Sequence, residues 1–265
     1  SSAATDITRH ESSVVSGNGS NQVTSVTVGG AKIVHVGLLR AKVTLKDRDG
    51  GTLDSGSAGA PTASGSYSTA VTMTGGTVLY KNIATVDTTY TQPVIVQLTS
   101  AGDSYVRQDS SSSNFGTATT FFVQSRTGSR NRRGLVQFNI SSIPAGSTIS
   151  SASLRLCATA VPSATRTYNV HQVTGTWTET GVTWANQPTV AGSATASATT
   201  PGSPSCMTWT VTADVVAWVG GTANNGWRIS DSVESSSTNY STTFASEENA
   251  TVPDRPRLDV NYTPP

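Results

Sequence analysis

Along several short segments of this chain, apolar and polar residues alternate one by one, and no other feature narrows its fold as far. Val136, Phe138 and Ile140 alternate with Gln137 and Asn139, Leu154 and Leu156 with Arg155 and Cys157, and Tyr168 and Val170 with Asn169 and His171. Successive side chains of a strand point to opposite faces, so this pattern buries one face of a sheet against another layer. A helix instead needs its apolar residues three and four apart. The segment Ala213-Asp214-Val215-Val216-Ala217-Trp218-Val219 has that spacing and runs into Gly220-Gly221. It predicts one short helix or turn, stopped by glycine, that caps an end of the fold.

The 265 residues suffice for one large or two ordinary domains. A compositional break near residue 100 favours two. Lys32, Lys42, Lys46 and Lys81 all precede it, whereas Trp177, Trp184, Trp209, Trp218, Trp227, Cys157 and Cys206 all follow it. The expected organisation is a polar, flexible or contact-ordered arm over 1–20, an immunoglobulin-like β-sandwich over 21–100, and a second β-sandwich over 101–265. Strands are expected in the first sandwich at 25–28, 32–36, 41–45, 77–80 and 94–98, short β-branched runs between Gly, Asp and Ser clusters. Lys46-Asp47-Arg48-Asp49-Gly50-Gly51 reads as a hairpin turn, with Asp-Gly supplying the positive φ. Lys42, Lys46 or Lys81 near Asn82 or Asp87 offers an isopeptide pair, against the commoner reading of surface lysines.

Charged residues make up only 12% and the formal net charge is +1. A nucleic-acid binder carries a clear basic excess, and a disordered chain is more charged or more biased. Neither description fits, and an anionic membrane is a poor partner for so neutral a chain. No apolar run approaches the roughly 18 residues that span a bilayer. Ser1-Ser2-Ala3-Ala4-Thr5 resembles the small residues left behind a cleaved signal, which suggests a mature or truncated secreted form. In an exported protein the pair Cys157 and Cys206 reads first as a disulfide, the alternative being two buried thiols. Such a bridge contributes about 3–4 kcal/mol in the chain-entropy model.

Catalytic signatures are missing. His10, His35 and His171 are scattered, and neither Cys-x-x-Cys, His-Glu-x-x-His nor Gly-x-Ser-x-Gly occurs. Gly17-Asn18-Gly19 has no helix behind it to bind phosphate. Glu247-Glu248 reads as a solvated loop rather than half of a glycosidase site. Asp103 offers a structural cation a ligand, calcium above all, or bonds its own turn; the second reading is the commoner. No cofactor and no metal is therefore expected. The richest polar cluster is Arg126-Thr127-Gly128-Ser129-Arg130-Asn131-Arg132-Arg133. Guanidinium forks match carboxylates, so Arg126, Arg130, Arg132 and Arg133 are the candidate ligand-binding residues for uronic acids, against the plainer reading of a solvated loop. Arg133, beside a strand, also has a structural reading. Trp177, Trp184, Trp209 and Trp218 read as buried or as loop anchors, whereas Trp227, after Asn224-Asn225-Gly226, reads as nearer the surface.

A set of motifs runs through the second half: Asp103-Ser104-Tyr105-Val106, Asn114-Phe115-Gly116, 135–144 (LVQFNISSIP), 149–156 (ISSASLRL), Trp177-Thr178-Glu179 with 182–188 (VTWANQP), and 255–262 (RPRLDVNY). In order and spacing these resemble the DNRLRE domain family, also classed as carbohydrate-binding module family 96, over about 101–263. The resemblance implies a jelly-roll-like β-sandwich, an extracellular setting and no catalysis, and in some members binding of alginate-type acidic sugars. Position 157 departs from the family's frequent large hydrophobe, which suits a local disulfide. Residues 1–100 resemble no family. The expected function is a non-catalytic extracellular or cell-surface carbohydrate-binding or adhesion module, with acidic polysaccharide as partner. The alternative is a structural subunit of an extracellular fibre, pilus or matrix, with neighbouring copies as partners. A hydrolase or lyase would need an acid/base pair that the motifs do not supply.

Overall fold

The computed structural model describes residues 7–17, 23–32, 40–59, 65–72, 85–91 and 93–265. The protein is all-β: the described residues form sixteen strands, one α-helix and two 3-10 turns. None of their helices is long and apolar enough to cross a membrane. The chain divides into two compact units, 1–94 with 263–265, and 95–262.

The first unit holds two three-stranded antiparallel sheets. One runs β1 (Ile7–Gly17), β2 (Val23–Lys32), β5 (Gly65–Thr72); the other runs β4 (Thr52–Gly59), β3 (Arg40–Lys46), β6 (Thr85–Thr91). The strands expected at 25–28 and 41–45 lie within β2 and β3. Of the strand expected at 32–36 only Lys32 is described, as the end of β2; the rest of it, the strand expected at 77–80, and the side chains of Lys42, Lys81, Asn82 and Asp87 fall outside the described residues. Residues 7–17 of the expected arm form β1, with Val15 opposite Val26. Ser, Thr and Val suit an extended backbone whether or not they meet a core, so a polar segment can still join a ladder. The β3–β4 turn is the expected hairpin. Gly50 has φ +83°, and Asp47 Oδ1 accepts the N–H groups of Asp49 and Gly51 at 3.0 and 2.7 Å.

In the second unit β7 (Val94–Arg107) runs straight through the expected boundary at 100. With β8 (Thr120–Ser125), β9 (Arg132–Phe138), β10 (Thr148–Ala160), β11 (Thr167–Gln172), β12 (Ala196–Thr199), β13 (Cys206–Thr210), β14 (Trp227–Asp231), β15 (Tyr240–Ala245) and β16 (Arg257–Thr263) it forms one ten-stranded sheet. The strand order is β12-β11-β14-β9-β7-β16-β10-β15-β8, with β13 on β10, and β8 pairs back onto β9 through Gln124 and Arg132. That last pairing closes β9, β7, β16, β10, β15 and β8 into a six-stranded, barrel-like ring. The alternating residues read from the sequence, Val136, Phe138, Leu154, Leu156, Tyr168 and Val170, pack into one core with Phe121, Phe244 and Trp209. Gly134 makes room for this packing, since a Cβ there would meet the Phe121 ring at 2.8 Å.

The predicted helix is α1 (Thr212–Val219), which buries Val215 and Trp218 in the same core. Gly221, just beyond it, has φ +103°. Asp214, in the first turn, accepts Trp227 Nε1–H at 2.6 Å and the Thr195 hydroxyl at 2.7 Å. Trp227 is therefore not near the surface, as its neighbours suggested, but fully buried. Gly226 (φ +74°) explains the difference: the chain turns so tightly that a Cβ there would collide with the Val136 carbonyl, and the next side chain is driven inward. Cys157 and Cys206 sit opposite one another on β10 and β13 and form the expected disulfide. Replacing Asp214 by Ala should leave the buried indole N–H without an acceptor and lower the unfolding free energy by about 1–3 kcal/mol. Urea denaturation followed by tryptophan fluorescence would measure it.

Candidate ligand-binding site

The arginine-rich segment is the connection between β8 and β9, and a buried asparagine shapes it. Asn131, 3% exposed, accepts the N–H groups of Arg126 and Ser235 through Oδ1 at 3.1 and 2.9 Å. Its Nδ2 donates to Gln108 Oε1 and Ser235 Oγ at 3.0 and 2.9 Å. Thr127 N–H donates to Ser236 O at 2.8 Å, and Gly128 and Ser129 turn the chain with φ of 73° and 59°. All four polar valences of the Asn131 amide are thus used to hold the loop in one shape.

The four candidate arginines do not share one environment. Arg130 is exposed at the tip and Arg126 is half-buried at its base. Arg133 is fully engaged within the protein: its Nε and Nη2 donate to the two Glu234 carboxylate oxygens at 2.7 and 2.6 Å, and Nη1 donates to Gln187 Oε1 at 2.9 Å. Its guanidinium also lies 4.5 Å from the Trp184 ring centroid. A bidentate, stacked arginine of this kind organises the fold. Trp184 and Trp177, partly buried, pack on Val106, Leu135 and Val182, and Trp177 Nε1 donates to Asn225 O at 2.9 Å. The anchoring role read for them is what the structure displays.

Arg132 belongs to a different group. Its guanidinium lies 5.1 Å from the Phe122 ring centroid, and its Nε is buried with no hydrogen-bond partner. Burial holds its pKa below the usual arginine value, with the nearby Arg107 and Arg126 charges adding to the effect. Arg107 sits 5.6 Å from the Phe115 centroid and pairs with Asp109 through two 3.0 Å bonds. Tyr105 underlies both rings, stacked on Phe115 at 4.5 Å and edge-on to Phe122 at 5.2 Å. Arg107 and Arg132 thus lie over two half-buried phenylalanines, with the Arg126 charge acting on Arg132, a combination of cationic forks and apolar surface. Phe115 stands in a motif, Asn114-Phe115-Gly116, but with no sign of its partner, and Phe122 carries no signal in the sequence; the fold brings both rings beside the arginines.

Carboxylates converge at a second place. Asp103, 2% exposed, accepts Glu247 N–H through Oδ2 at 2.7 Å, while its own N–H donates to Glu179 Oε1 at 2.9 Å. Carboxylate oxygens of Glu179, Glu247 and Glu248 lie within 4.8 Å of one another. Glu247 and Glu248 are therefore no solvated loop: β7 and the 177–182 segment lie against them. Burial, then the neighbouring acids, push the Asp103 pKa up to about 8, with the Glu247 N–H opposing; burial and Glu179 and Glu248 raise Glu247 to about 7.

A family model describes residues 94–262, most of the chain, as carbohydrate-binding module family 96. The chain belongs to that family. Family 96 modules are non-catalytic binding modules for carbohydrate, and the matched span is the unit that carries both clusters. No curated protein matches the chain.

Arg133→Ala should strand the Glu234 carboxylate and lower stability by about 1–3 kcal/mol, whereas Arg130→Ala should leave the unfolding midpoint unchanged; chemical denaturation would compare them. The acids make a separate expectation. Their folded-state pKa values lie above the unfolded ones, so the native state retains protons that the unfolded chain releases above about pH 4. In chelator-treated buffer, stability should fall as pH rises from 5 to 8, and Asp103→Asn should flatten that fall in a pH series of urea midpoints.

Proposed function

We propose that the protein is a non-catalytic, extracellular carbohydrate-binding or adhesion module for acidic polysaccharides. The ligand lies across Arg126, Arg130 and Arg132, together with Arg107 and the rings of Phe115 and Phe122. The observation that carries this reading is the placing of two arginines, Arg107 and Arg132, over two partly exposed aromatic rings, with the Arg126 charge close to Arg132, on a family 96 module. Uronate carboxylates match guanidinium forks, and sugar faces pack on aromatic rings. Arg133 holds the site's frame and does not contact ligand, because Glu234, Gln187 and Trp184 already occupy it.

The β-sandwich readings, immunoglobulin-like for the first unit and jelly-roll-like for the second, belong to the same proposal. The disulfide and the family both suit an exterior location. The alternative, a fibre or matrix subunit, would use β12, which ends the strand order, as an edge open to a strand from a neighbouring copy.

Isothermal titration against alginate and polygalacturonate, with a neutral glucan as control, tests the proposal. Binding is expected for the uronates alone, weakening as salt rises. Arg132→Ala and Arg126→Ala should each lower affinity about 10-fold or more, as loss of a charge-assisted hydrogen bond does. Binding to no uronate by the folded protein, or binding that survives both substitutions, would sink the reading.

A further inference from the structure

The carboxylate cluster of the second unit has no basic ion-pair partner among the described residues: no ion pair there includes Asp103, Glu179, Glu247 or Glu248. Arg255 lines the adjoining cleft of about 290 Å³, along with Thr99, Ser100, Glu247 and Glu248, yet its Nε donates to Asn249 O. Gathering like charges in a partly desolvated place is costly unless protons or a cation offset them.

Two observations besides the charge point to an occupant. Glu248 Oε2 is buried and has no hydrogen-bond partner. The Asp103 carboxylate, 2% exposed, accepts a single hydrogen bond, from Glu247 N–H, and so keeps acceptor capacity in the interior. Buried acceptors normally find donors; a cation held by the three glutamates satisfies the Glu248 oxygen.

The surroundings hold the acids in place. Asn114 Nδ2 donates to Glu179 O at 2.7 Å and to Val182 O at 2.8 Å, tying the 177–182 segment down. Gly116 is needed for that approach, since a Cβ there would collide with the Glu179 carbonyl. Glu179 is further fixed by Asp103 N–H, and the 246–249 turn by Asn249 Nδ2 donating to Thr119 O at 3.1 Å. The Asp, Asn-x-Gly and Trp-Thr-Glu motifs, separate in sequence, thus build one cradle.

We propose that this cradle is a divalent-cation site, suited to Ca²⁺, with Glu179, Glu247 and Glu248 as ligands and Asp103 as the buried acid behind them. Calcium takes oxygen ligands at about 2.3–2.6 Å, so oxygens on opposite sides of one ion lie up to about 5 Å apart. Carboxylate oxygens of the three glutamates lie within 4.8 Å of one another, inside that reach; magnesium, at about 2.0–2.1 Å, requires a near-ideal octahedron. An all-oxygen, carboxylate-rich donor set excludes the softer metals that prefer sulfur or imidazole. The cleft beside Ser100 gives the ion an entry path. The inference is independent of the sugar reading.

The test uses the full chain, stripped with chelator, titrated with CaCl₂ by calorimetry and followed in parallel by thermal denaturation. One equivalent is expected to bind at the affinity of extracellular modules, about 0.1–1 mM or tighter. At 10-fold or greater excess over the dissociation constant the melting midpoint should rise by about 5 °C, with a smaller response to MgCl₂. Glu179→Gln and Glu248→Gln should each weaken calcium about 10-fold or more, as loss of a charged ligand does. Glu248→Gln also removes one of the crowded charges, so its calcium-free form should melt no lower than the wild type and remain a folded control. A folded wild type with neither heat nor midpoint shift would overturn the assignment. So would a calcium response that both glutamine variants keep.

Discussion

The second unit depends on β9. This strand pairs with β7 along its length, with β14 over 134–136 and with β8 at its first residue, so it is where an open sheet becomes a ring. The pairing is sterically demanding. At Gly134 the strand passes so close to the Phe121 ring that any side chain would displace it. The absence of one Cβ therefore fixes how β8 meets β9. The residues flanking that contact, Arg132 and Arg133, are sent to different partners, one to an aromatic ring among cations and the other to a carboxylate. The site and its frame are neighbours in sequence because strand geometry puts successive side chains on opposite faces.

The strand pattern was legible because burial of one sheet face is written locally, every second residue. Leu154, Leu156, Tyr168 and Val170 pack where alternation put them, and Val215 and Trp218 pack where helical spacing put them. The disulfide was legible from composition and setting. What local pattern could not reveal was convergence. Asp103 and Glu247 are 144 positions apart, joined by one backbone hydrogen bond; read alone, each is an ordinary turn or loop residue. Phe115 and Phe122 look like any core aromatics until Tyr105 is placed between them. Trp227 misled for a related reason: its polar neighbours suggest a surface, whereas a left-handed Gly226 turns the side chain inward. In the first unit, β1 shows that a polar segment can pair through its backbone with no apolar signature.

The two clusters divide the labour of one module. In the proposed binding reading, the arginine and aromatic group is the part that meets ligand. The acidic group faces inward, ties three distant segments together, and so stiffens the scaffold from which the arginine loop projects. Both begin on β7, with Asp103 near one stretch of the strand and Arg107 four residues on, so a change in that strand's register would disturb recognition and scaffold together.

β16 lies between β7 and β10, so a strand from the end of the matched span sits in the middle of the sheet. A nascent chain that has made everything up to residue 256 still has a gap in its ring, with the facing edges of β7 and β10 unpaired. The unit therefore cannot complete its structure piecemeal as it leaves the ribosome. It must wait for 257–263, and during that wait its exposed edges can recruit strands from other chains.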